Sequence, residues 1–243
     1  MAKHELTVLE YDHMLKNFEA PVMKYDCGKM CAPLNGGEPI CCTTAHAVPV
    51  MNKNEWELLY NRSKLWHRYR PRDAHERELA DDLDDTIVAC ECEGPAFCER
   101  ENRSLSCRTF PFFPYITKDR EFIGLSYYWD FEDRCWVLSN LKLVEKDYLD
   151  QFVAAYEMIF ARDPDELENM RSHSATMRRV FSRWERPIPL LARDGRWMQI
   201  LPKGGGIHLG GKKLFQKHGP YRSPKAYRRA VREAEEEFDL GDE

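Results

Sequence analysis

The sequence predicts an α+β protein with a loop-rich, cysteine-based metal-binding core and flanking helices, followed by a helical hairpin, a β-hairpin and a C-terminal helix. Two observations support this prediction. Eight of the nine cysteines lie between residues 27 and 107, in two groups. After residue 146 the apolar residues recur at helical spacing. We therefore expect a cysteine-rich metal-binding domain at 1–144 and a helical and hairpin extension, with a basic C-terminal segment, at 145–243.

The composition is that of a soluble globular protein, with 43% hydrophobic and 32% charged residues. The charged opening from Met1 to Glu5 has no apolar run behind it, so we expect a cytoplasmic, reducing location. No stretch approaches the ~18 apolar residues of a membrane helix, and no membrane association is expected. In a reducing compartment, crowded cysteines indicate metal ligation, with buried or redox-active thiols as the alternative.

The first half of the chain contains three predicted helical stretches. A short helix is expected near residues 11–18. A longer helix is expected at 52–67, because Asn52 is a suitable N-cap and Glu55 follows three residues later, as in a capping box. The acidic residues between 73 and 85 predict a solvated helix or loop.

The second half alternates short strands with long helices. Aromatic residues at 110–115 and 122–129 predict strands and turns. An apolar stripe at 148–160 predicts a helix, and Asp163 followed by Pro164 predicts the start of a second, antiparallel one.

The last part of the chain is expected to hold a β-hairpin and a final helix. The hairpin is predicted from 188–191 and 197–201, with Asp-Gly at 194–195 in its turn. The final helix is predicted to follow Ser223 and Pro224, which form a typical cap.

The cysteines are the candidate metal ligands, because thiolates bind zinc and iron–sulfur clusters strongly. Zinc sites usually use pairs spaced C-x2–4-C, which the sequence approaches only twice. The adjacent cysteines at 41 and 42 are expected to point apart in an extended segment, which suits a single zinc ion poorly. A [4Fe–4S] cluster, which takes four cysteines, is therefore favoured, with zinc as the alternative. The candidate ligands are Cys27, Cys31, Cys41, Cys42, Cys90, Cys92, Cys98, Cys107 and Cys135.

The order of these cysteines resembles that of the YkgJ-type cysteine-cluster family, over about residues 25–137. The similar features are Cys27-x3-Cys31, the adjacent pair after it, a cysteine at 98, and the run Cys107-Arg108-Thr109-Phe110-Pro111. The gap before the adjacent pair is longer than is usual in the family. The family is described as a zinc- or iron-chelating domain, so the resemblance implies iron–sulfur or zinc binding.

Arg108 is the candidate cofactor-binding residue. If the cysteines bind metal, its guanidinium is expected to lie beside anionic sulfur and to stabilise the negative charge there. The alternative is an ordinary surface arginine. His46, His67 and His75 flank the cysteines as less favoured ligands.

A basic segment near the C-terminus is the candidate partner-binding region. Residues 196–232 contain ten lysines and arginines and no acidic residue, and an acidic tail follows. We expect this segment to bind an unknown protein or an anionic ligand. Nucleic acid is a less favoured partner, since the chain as a whole has a net charge of −5. The alternative is a solvated segment that folds against the acidic residues.

Three functions therefore remain open. The first is an iron–sulfur protein with a redox or enzymatic role. The second is a non-catalytic interaction module stapled by zinc or a cluster, and the third is nucleic-acid binding through residues 196–232. No G-x-S-x-G or H-E-x-x-H motif is present, and catalytic residues are not identifiable from the sequence.

Overall fold

The computed structural model describes residues 5–24, 26–44, 48–204 and 206–211, and the single positions 214, 225, 229 and 232. These residues form helices and two antiparallel sheets, which confirms the predicted mixture of helices and strands. The helices are α1 Val8–Lys16, α2 Cys27–Cys31, α3 Lys53–Arg62, α4 Ala74–Asp81, α5 Leu105–Thr109, α6 Lys146–Arg162 and α7 Pro164–Arg183. The strands are β1 Val50–Asn52, β2 Trp66–Arg68, β3 Ile87–Cys92, β4 Phe112–Ile116, β5 Phe122–Tyr127, β6 Ile188–Ala192, β7 Trp197–Ile200 and β8 Ile207–Leu209.

The smaller sheet has the strand order β1-β3-β2. Its central strand β3 carries two of the cysteines, and Trp66 of β2 pairs with Cys92 at the end of that strand. Helix α3 packs on this sheet, and α1 packs on α3. Leu59 of α3 and Leu15 of α1 are buried there in a small apolar core.

The larger sheet is an antiparallel meander with the order β4-β5-β6-β7-β8. The predicted β-hairpin is present as β6 and β7, in which Leu190 pairs with Met198. Strands β5 and β6 approach closely at Gly124, where a Cβ atom would lie 2.2 Å from the carbonyl oxygen of Leu191. Glycine is therefore required for this pairing.

The predicted helical hairpin is formed by α6 and α7. Asp163 caps α7 by accepting hydrogen bonds from the backbone N–H groups of Asp165 and Glu166, and Pro164 occupies the first helical position, as expected. Helix α7 packs against β4. Phe152 and other large side chains of the hairpin are fully buried in the main core.

Residues on the two sides of position 144 share a sheet and an apolar core. Strand β5 pairs with β6 through Leu125 and Leu191, so a single sheet joins the two predicted domains. One apolar core contains Phe113 from the first part and Phe181 from the second. Long-range strand pairing joins these parts, and local sequence patterns carry no signal for it.

Helix α3 is shorter than predicted. It ends at Arg62, and residues 66–68 form β2 instead of its last turn. The indole N–H of Trp66 donates to the carbonyl oxygen of Asn102 (2.8 Å), and this buried contact holds the segment in the sheet. Asn52 caps the helix as predicted, through a 2.9 Å bond from the N–H of Asn54. The predicted capping box is wrong, however, because Glu55 accepts from a different part of the chain.

Most of the predicted final helix, including Ser223 and Pro224, lies outside the described residues. Lys225, Arg229 and Arg232 are described, and all three are helical and exposed. The partner-binding role of residues 196–232 therefore stays a prediction. Among the described helices, none has the length and apolar character needed to cross a bilayer.

Candidate metal centre

Six of the nine cysteines line one cavity of about 680 Å³. The cavity lies where the two apolar cores meet, with Trp66 from the small core and Phe18 and Phe110 from the large core in its wall. All six thiols are half-buried. The cysteines that share this cavity are Cys27, Cys41, Cys42, Cys92, Cys98 and Cys107.

Short turns and helix starts bring these thiols together from five segments of the chain. Asp26 caps α2 through the N–H of Gly28 (2.9 Å), which places Cys27 at the first position of that helix. Ser104 caps α5 through the N–H of Cys107 (3.2 Å). The remaining positions are a 3₁₀ turn at Ile40–Cys42, the end of β3 at residue 92, and the residue after the 3₁₀ turn Pro95–Phe97.

The adjacent cysteines converge, contrary to the expectation that they would point apart. The Sγ atoms of Cys41 and Cys42 are 3.8 Å apart. The expectation assumed an extended backbone, whereas these residues lie in a 3₁₀ turn. Their separation equals the edge of a tetrahedral thiolate site, which is about 3.8 Å for metal–sulfur bonds of ~2.3 Å.

Arg103 is the arginine that contacts sulfur. Its Nε donates to the Sγ of Cys98 at 3.1 Å. Burial by itself lowers the pKa of this guanidinium, but the bond to Cys98 and nearby thiolate charge, chiefly that of Cys98, raise it above its usual value. The sequence reasoning missed this residue, although a basic residue between two candidate ligands was an available signal. Arg103 is therefore placed to compensate negative charge in the cavity.

Arg108 also lines the cavity, but its guanidinium donates hydrogen bonds to the protein backbone. Its hydrogen bonds run to the backbone carbonyl oxygens of Arg103 (2.9 Å), Leu15 (3.0 Å), Phe18, Arg100 (3.5 Å) and Glu101 (2.8 Å). These bonds join the end of α1 to the segment that carries Arg103. The contact with sulfur predicted for Arg108 is made by Arg103 instead.

Burial raises the pKa of three of the cavity thiols, Cys27, Cys92 and Cys107. It raises the pKa of Cys27 and of Cys107 to about 12, so both are protonated at neutral pH. Cys42 behaves differently. Its pKa is lowered because the thiol of Cys41 donates a hydrogen bond to it and Arg103 lies nearby, while the pKa of Cys41 is raised. Metal binding at this cavity must therefore displace protons.

The other three candidate ligands are fully buried away from the cavity wall. Cys31 accepts a hydrogen bond from the N–H of Ile40 (3.4 Å). Cys90 donates to the carbonyl oxygen of Pro49 (3.3 Å), and Cys135 is part of the main core. A buried thiol packs as a small apolar side chain, which accounts for all three positions. The structure thus divides the predicted ligands into six that line the cavity and three that do not.

Among the described residues, no three His, Cys, Asp or Glu side chains already have the arrangement of a metal-binding group. His67 faces Glu91 (3.3 Å) and Glu93 (3.7 Å), and His75 is exposed. His46 lies outside the described residues. The side chains lining the cavity that could bind metal are the six thiols and the carboxylates of Glu19, Asp26 and Glu101. Thiolates are the ligands that zinc and iron–sulfur clusters prefer.

No protein-family model, curated protein or solved structure matches the chain. The resemblance to the YkgJ-type family therefore stays a prediction, based on the cysteine order alone.

Glu55 lies beside this site and supports it from the small core. Its Oε1 accepts a 2.6 Å hydrogen bond from the N–H of Leu105, at the start of α5. Burial raises the pKa of this carboxyl to about 7, although the bond from Leu105 and the charge of Arg108 lower it in part. The folded protein therefore binds a proton at Glu55 that the unfolded chain loses above about pH 4.5.

We expect Glu55→Gln to stabilise the metal-free protein at pH 8 by about 1–3 kcal/mol. Folding penalises the charged carboxylate, so the contribution of Glu55 to the free energy of unfolding falls as the pH rises from about 4.5 to about 7. Glutamine keeps the acceptor for Leu105 without the charge, so its advantage should vanish near pH 4.5. Urea unfolding at several pH values measures this, with the exposed Glu57→Gln as control. An equal effect of both variants would contradict the burial argument.

Proposed function

We propose that this protein is a metalloprotein whose six-cysteine cavity binds an iron–sulfur cluster with a redox or enzymatic role. The observation that carries the proposal is the segregation of the cysteines. Six, from five segments, line one cavity, whereas three are buried in apolar cores. A fold that needed thiols only for packing would have no reason to collect six half-buried ones around a cavity.

The number of thiols is sufficient for an iron–sulfur cluster or for a zinc ion. A tetrahedral zinc site uses four ligands, and a [4Fe–4S] cluster also uses four cysteines. Six thiols are two more than either kind of site needs, so two remain for a second metal or for redox chemistry. A bound cluster would supply one-electron transfer. Arg103 would offset the negative charge of the thiolates, and the apolar wall would limit solvent access.

Zinc is the second candidate, and one observation favours it. The 3.8 Å separation of the Cys41 and Cys42 sulfur atoms fits two corners of a tetrahedral thiolate site. In that case the metal would hold the loops of residues 26–44 and 92–107 together, and its role would be structural and not catalytic. Both candidates use the same cavity, so metal analysis distinguishes them.

Anaerobic purification followed by iron, acid-labile sulfide and zinc analysis tests the proposal. A brown protein with stoichiometric iron and sulfide is expected. A colourless protein with stoichiometric zinc would select the second candidate. A protein that retains neither metal after reconstitution under reducing conditions would refute both.

Arg103→Gln is expected to weaken metal retention by roughly 10–100-fold, the usual cost of losing a partner of the ligands. Its hydrogen bond to Cys98 and its positive charge are both lost. Arg103→Lys keeps the charge and should recover part of the effect. The metal content that survives a chelator titration measures the effect, and Arg183→Gln, at an exposed residue of α7 outside the cavity wall, is the control. Equal retention by wild type and Arg103→Gln would show that Arg103 does not act on the site.

A further inference from the structure

Cys41 and Cys42 differ from the other cavity thiols in their contact with each other. Among the nine cysteines, all of which the structure describes, this is the pair whose sulfur atoms are in hydrogen-bonding contact, at 3.8 Å. Both side chains are half-buried and face the cavity. A small reagent that enters the cavity therefore meets two thiols at once.

We infer that Cys41 and Cys42 form a vicinal dithiol that a hydroperoxide oxidises reversibly to a disulfide. The proposal rests on the distance between the two sulfur atoms and on the 3₁₀ turn that holds them on the same side. Closing the bond requires the sulfur atoms to move from 3.8 Å to ~2.05 Å. The two residues are adjacent in the chain, so the bridge closes an eight-membered ring that includes their peptide bond. Closing it needs a local adjustment of the backbone as well as rotation of the side chains.

The chemistry balances with a hydroperoxide as the two-electron oxidant. The sulfur of Cys42 attacks the peroxide and breaks the O–O bond, which gives a sulfenic acid and releases the alcohol or water. The thiol of Cys41 then displaces the hydroxyl group as water and forms the S–S bond. Two thiols are oxidised, one peroxide is reduced, and both thiol protons leave in the products.

The disulfide is expected to be reduced easily. Adjacent Cα atoms are about 3.8 Å apart across a trans peptide bond. Disulfides normally join Cα atoms about 4.4–6.8 Å apart, and a strained bridge is more reducible. A bridge between Cys41 and Cys42 is therefore suited to a reversible change and not to permanent stabilisation.

Oxidation would also remove two of the six cavity thiols from metal binding. This consequence rests on the proposed function, since it requires the cavity to bind metal. It makes peroxide oxidation and metal loading mutually antagonistic at one site.

Peptide mapping of the metal-free protein tests the dithiol. Reduced protein is treated with hydrogen peroxide, its free thiols are alkylated, and it is digested with trypsin. The peptide from Met30 to Lys53 contains Cys31, Cys41 and Cys42 and no internal cleavage site. It should become lighter by two hydrogen atoms and carry a single alkyl group, on Cys31. A phosphine reductant should restore three alkylation sites.

Serine variants distinguish a disulfide between Cys41 and Cys42 from other oxidation products. Cys41→Ser and Cys42→Ser should each abolish the intramolecular bridge, and Cys31→Ser should keep it. A bridge that uses Cys31, or a peptide that stays fully alkylated under peroxide, would overturn the inference.

Metal uptake by the oxidised and reduced proteins tests the consequence. Oxidised protein should bind iron or zinc at least roughly 100-fold more weakly, and reductant should reverse the loss. A bridge that forms without changing metal uptake would overturn the antagonism. If the reduced protein binds no metal at all but still forms the bridge, the proposed function fails and the dithiol stands.

Discussion

Replacing Cys107 by serine is expected to weaken metal binding by roughly 100-fold or more. Structural thiolate sites gain about 10–16 kcal/mol from four ligands, so each ligand contributes about 3 kcal/mol. Cys107 is the best choice because Cys41, Cys42 and Cys92 are its electrostatic neighbours in the cavity. The substitution leaves the cap of α5 in place, since Ser104 accepts from the backbone N–H of residue 107. Metal retained in a chelator competition, measured under anaerobic conditions, gives the size of the effect.

The matched control is Cys90→Ser. Cys90 is buried in the small core, and its sulfur donates to the carbonyl oxygen of Pro49, a bond that a serine hydroxyl can also make. We expect this variant to bind metal as well as the wild type. Equal loss of metal in both variants would contradict the division of the cysteines into cavity and core groups. Retention of metal by Cys107→Ser would exclude Cys107 from the ligand set.

This division could not be predicted from cysteine spacing. Cys90 and Cys92 lie on the same face of a strand by sequence periodicity, yet one is enclosed by the small core and the other lines the cavity. The difference arises because Cys92 is the last residue of β3 and pairs with Trp66 at the end of that central strand. The environment of each cysteine depends on its position along β3, and the residues that surround each position come from distant parts of the chain.

The choice between the two arginines also depended on backbone geometry. Arg108 follows Cys107 directly, but successive residues of a helix point about 100° apart, so adjacency does not bring a side chain to the same place. Arg103 lies before α5 and reaches Cys98 at 3.1 Å. In contrast, the cap at Asp163 and the hairpin turn at Gly195 were predictable, because their signals are local.

Arg108→Ala is expected to destabilise the metal-free protein by about 2–4 kcal/mol, a large part of a typical total of about 5–15 kcal/mol. Hydrogen bonds from a charged group contribute about 1.5–3 kcal/mol each, and carbonyl oxygens left without a donor add a penalty. Arg108 bonds the carbonyl oxygens of Leu15, Phe18 and three residues of the cavity segment. Urea unfolding under reducing conditions measures the loss.

Arg108→Lys and Arg100→Ala make this prediction specific. Lysine keeps the charge but lacks the planar fork of donors, so it should recover only a minor part of the stability. Arg100 is exposed, and its alanine variant should change stability by less than about 0.5 kcal/mol. Full recovery by lysine would show that charge, and not the set of directed bonds, joins α1 to the cavity segment. Because these bonds position Arg103 and not the thiols directly, folded Arg108→Ala should still bind metal, more weakly than wild type and more tightly than Cys107→Ser.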